Sequence, residues 1–166
     1  MADRASASIV IGGTLRRSEI SDLVEAIASD GGRADWEGEL LDVASVRDGE
    51  ALKACAHELA GGTFDWTEQF CEDHGLAYAR DSGSCGGAFG PERVVFTGIG
   101  AAMQFDMTES DEIVLARTMI RELGSMEMVE AWFTQAEFTP PPFTIIEDEP
   151  AGGEINVAPV DETADG

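Results

Sequence analysis

Apolar residues alternate along Ser6 to Leu15, with Ile9 and Ile11 on one face and Val10 on the other, and Gly12-Gly13 punctuates the run. That pattern predicts a strand. The period then lengthens. Ile20, Leu23, Val24, Ile27 and Ala28 recur at helical spacing, with Ser18 as N-cap and Asp30-Gly31-Gly32 as the stop. Glu19, Asp22 and Glu25 lie on the opposite arc and face water, so this is an ordinary amphipathic helix.

Trp36 to Val46 predicts a second strand, carried by Trp36, Leu40, Leu41 and Val43 and closed by Asp48-Gly49. Glu50 to Ala60 places Leu52, Cys55, Ala56 and Leu59 at helical spacing before Gly61-Gly62, which predicts a helix. A short helix from Asp65 to His74 closes at Gly75. Leu76 to Arg80 and Arg93 to Thr97 read as two strands joined by the glycine-rich stretch Asp81 to Pro91, and Met103 to Met107 alternates as another. Thr108, three residues before Asp111, marks a helix start. Leu115, Met119, Ile120 and Leu123 form its apolar stripe. Gly124-Ser125 ends that helix and caps the next, which carries Val129, Trp132, Phe133 and Ala136. Pro140-Pro141-Pro142 imposes extended backbone, and Phe143 to Ile146 is a last strand.

The connections between the three strands from 76 to 107 are too short for parallel crossovers. The expected architecture is therefore α+β: a single domain over residues 1–146, with an antiparallel or mixed sheet and about five helices packed mainly on one face. Residues 147–166 are acidic and rich in Gly, Pro and Ala, the composition of a flexible tail. At 166 residues and 43% hydrophobic, the chain can bury one sufficient core without a metal or disulfide staple. No apolar run is long enough for a signal peptide or a membrane span, and three cysteines do not make a secreted disulfide framework. A cytoplasmic protein without membrane contact is expected.

Charge changes the picture most. The formal net charge is −23, with nine arginines and a single lysine, Lys53. Eighteen acids and eight bases fall in residues 1–100, against fifteen and two in the remainder, and eleven carboxylates follow Arg121 with no basic side chain among them. Such a field repels nucleic acid phosphates and attracts basic surfaces. Adaptation to high salt would coat all faces evenly; local concentration fits a binding face or a solvated tail. Glu109, Asp111 and Glu112 are accounted for by a helix N-terminus. Glu127 and Glu130, with Glu137 seven further on, form an outward stripe, which Glu122 and the tail acids Glu147, Asp148 and Glu149 extend. Acids at helical spacing sit about 5 to 6 Å apart, near the spacing of phosphates along one strand.

Other chemistry finds less support. Cys55, His57, Cys71, His74 and Cys85 supply soft ligands, but on a helix Cys55 and His57 point about 200° apart, and Cys71 with His74 lacks a second ligand pair, so no metal is expected. Gly83-Ser84-Cys85-Gly86-Gly87 has the Gly-x-Cys-x-Gly spacing of a nucleophile elbow, yet it leads into a strand where an elbow requires a helix. Gly12-Gly13 lacks the remaining features of a phosphate loop. Neither a cofactor nor a catalytic residue is expected. Four stretches, Ser8 to Gly13, Phe70 to Leu76, Pro91 to Phe96 and Phe138 to Phe143, resemble uncharacterised small acidic proteins encoded on bacterial mobile elements. That resemblance implies a setting in which small acidic proteins inhibit host defence. The leading expectation is a non-enzymatic inhibitor whose acids occupy the basic nucleic-acid-binding surface of a protein complex, of anti-CRISPR or anti-restriction type, with no direct contact to nucleic acid. A small enzyme or ligand-binding domain using the Cys85 loop and His74, and an acidic structural or assembly protein, stand as alternatives.

Overall fold

A computed structural model describes residues 3–148. Along the chain run β1 (Arg4–Gly12), β2 (Thr14–Arg16), α1 (Ile20–Ser29), β3 (Leu52–Ala60), α2 (Asp65–His74), β4 (Ala77–Ser82), β5 (Glu92–Phe96), β6 (Met103–Asp106), α3 (Arg117–Leu123), α4 (Met126–Ala136) and β7 (Thr144–Ile146). Five strands form one sheet in the order β3-β1-β4-β5-β6, every neighbour antiparallel. β2 and β7 form a separate parallel pair. The α+β class and the antiparallel sheet agree with the sequence reading, with four α-helices among the described residues where about five are expected.

Alternation in β1 explains why it is central. Ala5, Ala7, Ile9 and Ile11 are all buried on one face, where α1 contributes Ile20, Leu23 and Ile27 and α2 contributes Cys71. The opposite face is covered only in part. There α4 packs through Ala136 and Trp132 on Val95 and Phe105, the Trp132 ring meeting Phe105 edge-on at 5.0 Å. Helices therefore lie on both faces of the sheet, not mainly on one.

The segment Glu50 to Ala60 is a strand, not a helix. Leu52, Ala54 and Ala56 face the core at the strand period, opposite Ile11, Ile9 and Ala7. Between Ala56 and Leu59 one extra residue is accommodated by a β-bulge, with Glu58 at φ 58°. Four residues plus three is the spacing of two helical turns, so the bulge disguises the strand as an amphipathic helix. Trp36 to Val46 is likewise not a strand. It is irregular, touching the sheet through Arg33, which pairs with both Leu40 and Cys55 and so covers the outer edge of β3. Thr108 starts a turn and not a helix: its hydroxyl accepts from the N–H groups of Ser110 and Glu112 at 3.1 and 3.2 Å, and α3 begins only at Arg117. The acids at 109, 111 and 112 are consequently free of any helix dipole.

Side chains distant in sequence tie the layers together. Asp30, at the end of α1, accepts from the N–H groups of Trp66 and Thr67 and from the Thr67 hydroxyl, at 3.2, 2.8 and 2.7 Å. It thereby caps α2, whose own N-cap, Phe64, has no side chain able to do so. Arg80 of β4 is buried. Its Nε lies 2.6 Å from Glu68 Oε2 of α2, and its Nη1 donates to Glu92 of β5 at 3.1 Å, to the Gly62 carbonyl at 3.0 Å and to Ser82. Tyr78 donates to Glu72 at 2.9 Å and stands 3.3 Å from Glu68. Burial raises the Glu68 carboxyl above its ordinary range, against the pull of Arg80.

Among the glycines, Gly12 is the one most tightly approached by other backbone. It ends β1 where the triple-proline segment crosses, and a Cβ there would collide with the Pro141 carbonyl oxygen. Gly12→Ala is expected to lose about 3 kcal/mol or more in denaturant unfolding, whereas Gly86→Ala, which meets open space, stays within about 0.5 kcal/mol. A second expectation uses the single tyrosine of the chain. Burial, then the negative Glu68 and the bond to Glu72, push the Tyr78 hydroxyl well above its ordinary value. Unfolded tyrosine ionises near about pH 10, so this contribution to stability is complete below that pH and is lost as pH rises beyond it. Tyrosinate absorbance should therefore appear only together with the alkaline loss of near-ultraviolet dichroism; a rise near pH 10 in the still-folded protein would contradict the buried contacts.

Candidate functional site

The sequence places its uncompensated acids around α3 and α4, and local chemistry sets these helices. Gly124 adopts the left-handed conformation at φ 85°, and its N–H reaches back to the Ile120 carbonyl at 3.2 Å, ending α3. Ser125 then caps α4 by accepting from the Met128 N–H at 3.2 Å. Val129 and Ala136 are the buried residues of α4. Its last turn is held to the sheet by Arg93, which donates to the Ala136 carbonyl at 3.1 Å while pairing bidentately with Asp81 at 2.7 and 2.9 Å. That bond to Asp81, with the nearby charges of Asp81, Glu137 and Asp111, raises the Arg93 pKa and outweighs its desolvation.

What this layer leaves outward is acidic and apolar together. Glu127 and Glu130 are exposed and share a face of α4, and Glu137 is exposed just beyond its end. Glu122 is exposed on α3, where Arg117 and Arg121 offset it. Asp111, near Arg93 with Glu137, and the exposed Glu109 and Glu112 add to the same layer. α3 buries none of its residues. Met119 and Ile120, expected in its apolar stripe against the core, are exposed, and Met126 and Met128 are 68% and 50% exposed. Met119 and Ile120 were hidden by the helical periodicity, since nothing in their spacing distinguishes a stripe facing the core from one facing a partner; Met126 and Met128 lie outside the stripe expected for α4.

The remaining acids lie elsewhere. Glu147 accepts from Arg17 Nε through both oxygens, at 3.0 and 2.9 Å, and Asp148 accepts from the Ser18 N–H and hydroxyl at 3.0 and 2.5 Å. Both belong to the segment that follows Phe143, which is buried in the α1 side of the core, while α4 packs on the other side of the sheet. The structure thus separates Glu147 and Asp148 from Glu127, Glu130 and Glu137 and gives them internal partners. Glu149 falls outside the described residues.

His74 and Cys85 flank β4 at opposite ends, about 20 Å apart at the rise of a strand, and so do not form one site. His74 stacks on Phe70 with ring centroids 3.9 Å apart and lies 3.6 Å from Glu19. Cys85 sits in a tight loop paired with Phe89. Burial raises the thiol pKa of Cys55 and Cys71, which keeps both as thiols. Because Cys55 and His57 stand on a strand, they share a side of the sheet, and the helical argument that separated them does not apply. His57 is engaged instead, with Nε2 at 3.1 Å from the Trp36 carbonyl and Nδ1 at 3.3 Å from the Ser6 hydroxyl. Among the described residues no group of three or more His, Cys, Asp or Glu is arranged to hold a metal ion, and no helix is long and apolar enough to cross a membrane.

Models of protein families, curated proteins and solved structures give no match to this chain. The two acidic groups differ in what they do for the fold, and that difference is measurable. Asp148→Ala removes the cap on Ser18 and is expected to cost about 1 kcal/mol in denaturant unfolding. Glu127→Gln with Glu130→Gln should change stability by less than about 0.5 kcal/mol; a larger loss would give these two acids a structural role.

Proposed function

We propose that this protein is a non-enzymatic inhibitor that docks its α3–α4 layer on the basic nucleic-acid-binding surface of another protein, the acids of α4 standing in for phosphates. A CRISPR effector or a restriction enzyme is the class of target that fits a mobile-element setting. The observation that carries the reading is the coexistence, on one layer, of exposed carboxylates with exposed methionine and isoleucine side chains, at Glu127, Glu130, Met126 and Met128 with Ile120 beside them. Carboxylates alone are explained by solubility. Large apolar groups left in water beside them are not, and methionine adapts to the uneven surface of a partner. The charged component would steer association and the apolar component would slow dissociation.

Measured affinity for a candidate nuclease provides the test. If about four carboxylates replace phosphate contacts, binding should weaken about a hundredfold between 50 and 200 mM salt. Glu127→Lys with Glu130→Lys should weaken it at least about tenfold at the lower salt, and nucleic acid should compete for the same surface. Affinity indifferent to salt, to charge reversal and to competing nucleic acid would exclude mimicry. Met126→Ser with Met128→Ser should accelerate dissociation with little change in the salt slope.

A further inference from the structure

On the outer face of the sheet α4 packs over β5 and β6, and Cys55 of β3 is itself buried; between these covered parts lies a trough of about 470 Å³, within the range of small-molecule sites. Its floor is Ser6 and Ser8, small residues on a face where bulkier ones would fill the space. One wall is Trp36. Its ring lies 5.2 Å from that of His57, and its carbonyl receives the His57 Nε2–H, since a carbonyl can only accept; the other ring nitrogen, Nδ1, stands 3.3 Å from the Ser6 hydroxyl. The tryptophan wall is thus positioned from the floor of the trough. The opposite wall is Asp81 and Arg93, joined by Asp111.

The charges are arranged as two poles. Lys53, the single lysine of the chain, is exposed on β3 and forms no ion pair among the described residues. Arg93 and Asp81 satisfy each other in a bidentate pair, Arg93 also donating to the Ala136 carbonyl, so the excess charge at this end of the trough is the carboxylate of Asp111. In register, Lys53 opposes Val10 from one side of β1 and Asp81 opposes Ser8 from the other. Two strand spacings and a two-residue offset along β1 put their backbones about 12 Å apart, too far for the side chains to satisfy each other, with an aromatic ring alongside. An anion meets the carboxylate of Asp111 here in addition to the field of a chain at −23, and a cation meets Lys53. A molecule with both charges and no net charge suits both poles, and the overall field neither attracts nor repels it.

We propose that this trough binds a small aromatic zwitterion of the α-amino-acid class, its carboxylate at Lys53, its ammonium at Asp111 beside the Asp81–Arg93 pair, and its ring against Trp36. The proposal does not rest on the α4 acids Glu127 and Glu130 that carry the docking reading, although Asp111 borders both surfaces. Calorimetric titration of the whole chain with L-phenylalanine, 3-phenylpropanoate and 2-phenylethylamine tests it, the last two each lacking one charge. L-phenylalanine should bind saturably, and each analogue at least about tenfold more weakly. Lys53→Met, which keeps the aliphatic stem, should weaken L-phenylalanine by a similar factor with an unchanged unfolding midpoint, and Trp36→Ala should do so as well. Absence of saturable binding up to about 10 mM, equal binding of either analogue, or undiminished binding by the Lys53→Met variant would overturn it.

Discussion

A guanidinium taken out of water in the middle of a sheet must be neutralised where it stands, and in this protein that requirement fixes how the layers meet. Arg80 is 2% exposed. Its partners come from α2, from β5 and from the turn that follows β3, so a single side chain sets the distance of the helix layer from the sheet. It also joins β4 to β5 beyond their backbone ladder. A buried charge is a poor source of net stability, but removing one of its partners typically costs about 3 to 5 kcal/mol. The arrangement penalises every packing in which Glu68 or Glu92 is misplaced.

From that fixed interior the two sides of the sheet take different roles. The side toward α1 and α2 is closed by Ile9, Ile11, Leu23, Ile27 and Tyr78. The other is closed only where α4 reaches it, through a contact as small as Trp132 on Phe105 and an anchor as local as Arg93 on the Ala136 carbonyl. An economical attachment leaves most of α3 and α4 outward and a trough open on the sheet face. The surfaces proposed for a protein partner and for a small ligand both follow from this asymmetry.

Elements with one clean period were legible in the sequence. α1, α2 and the β4–β5 hairpin follow from spacing and punctuation alone, and the α+β class follows from their short connections. The misreadings have physical causes. In β3 the bulge at Glu58 adds one residue to a two-residue period and produces a helical signature. At Thr108 a hydroxyl that accepts from following N–H groups serves a turn as well as a helix, and only the left-handed Asp111, at φ 65°, separates the two outcomes. The acids of α4 were visible as a surface feature because charge rarely lies elsewhere. Lys53, Ser8 and Asp81 were not visible as neighbours, since they meet only through strand pairing, and the helical reading of β3 removed the strand that brings Lys53 there.

The parallel pairing of β2 with β7 joins Thr14 to Thr144 and Arg16 to Ile146, and Arg17 with Ser18 then grips Glu147 and Asp148. During vectorial synthesis the early partner of this clasp must wait for the late one. Ribosomes add about 5 to 20 residues per second, so the 130 residues that separate the two impose a delay of about ten seconds. Over that interval β2 has no pairing partner, and Leu15, fully buried in the finished fold, lacks the neighbouring strand. The nascent chain therefore depends on its own hairpins and on α1 to shield this edge until the proline segment arrives.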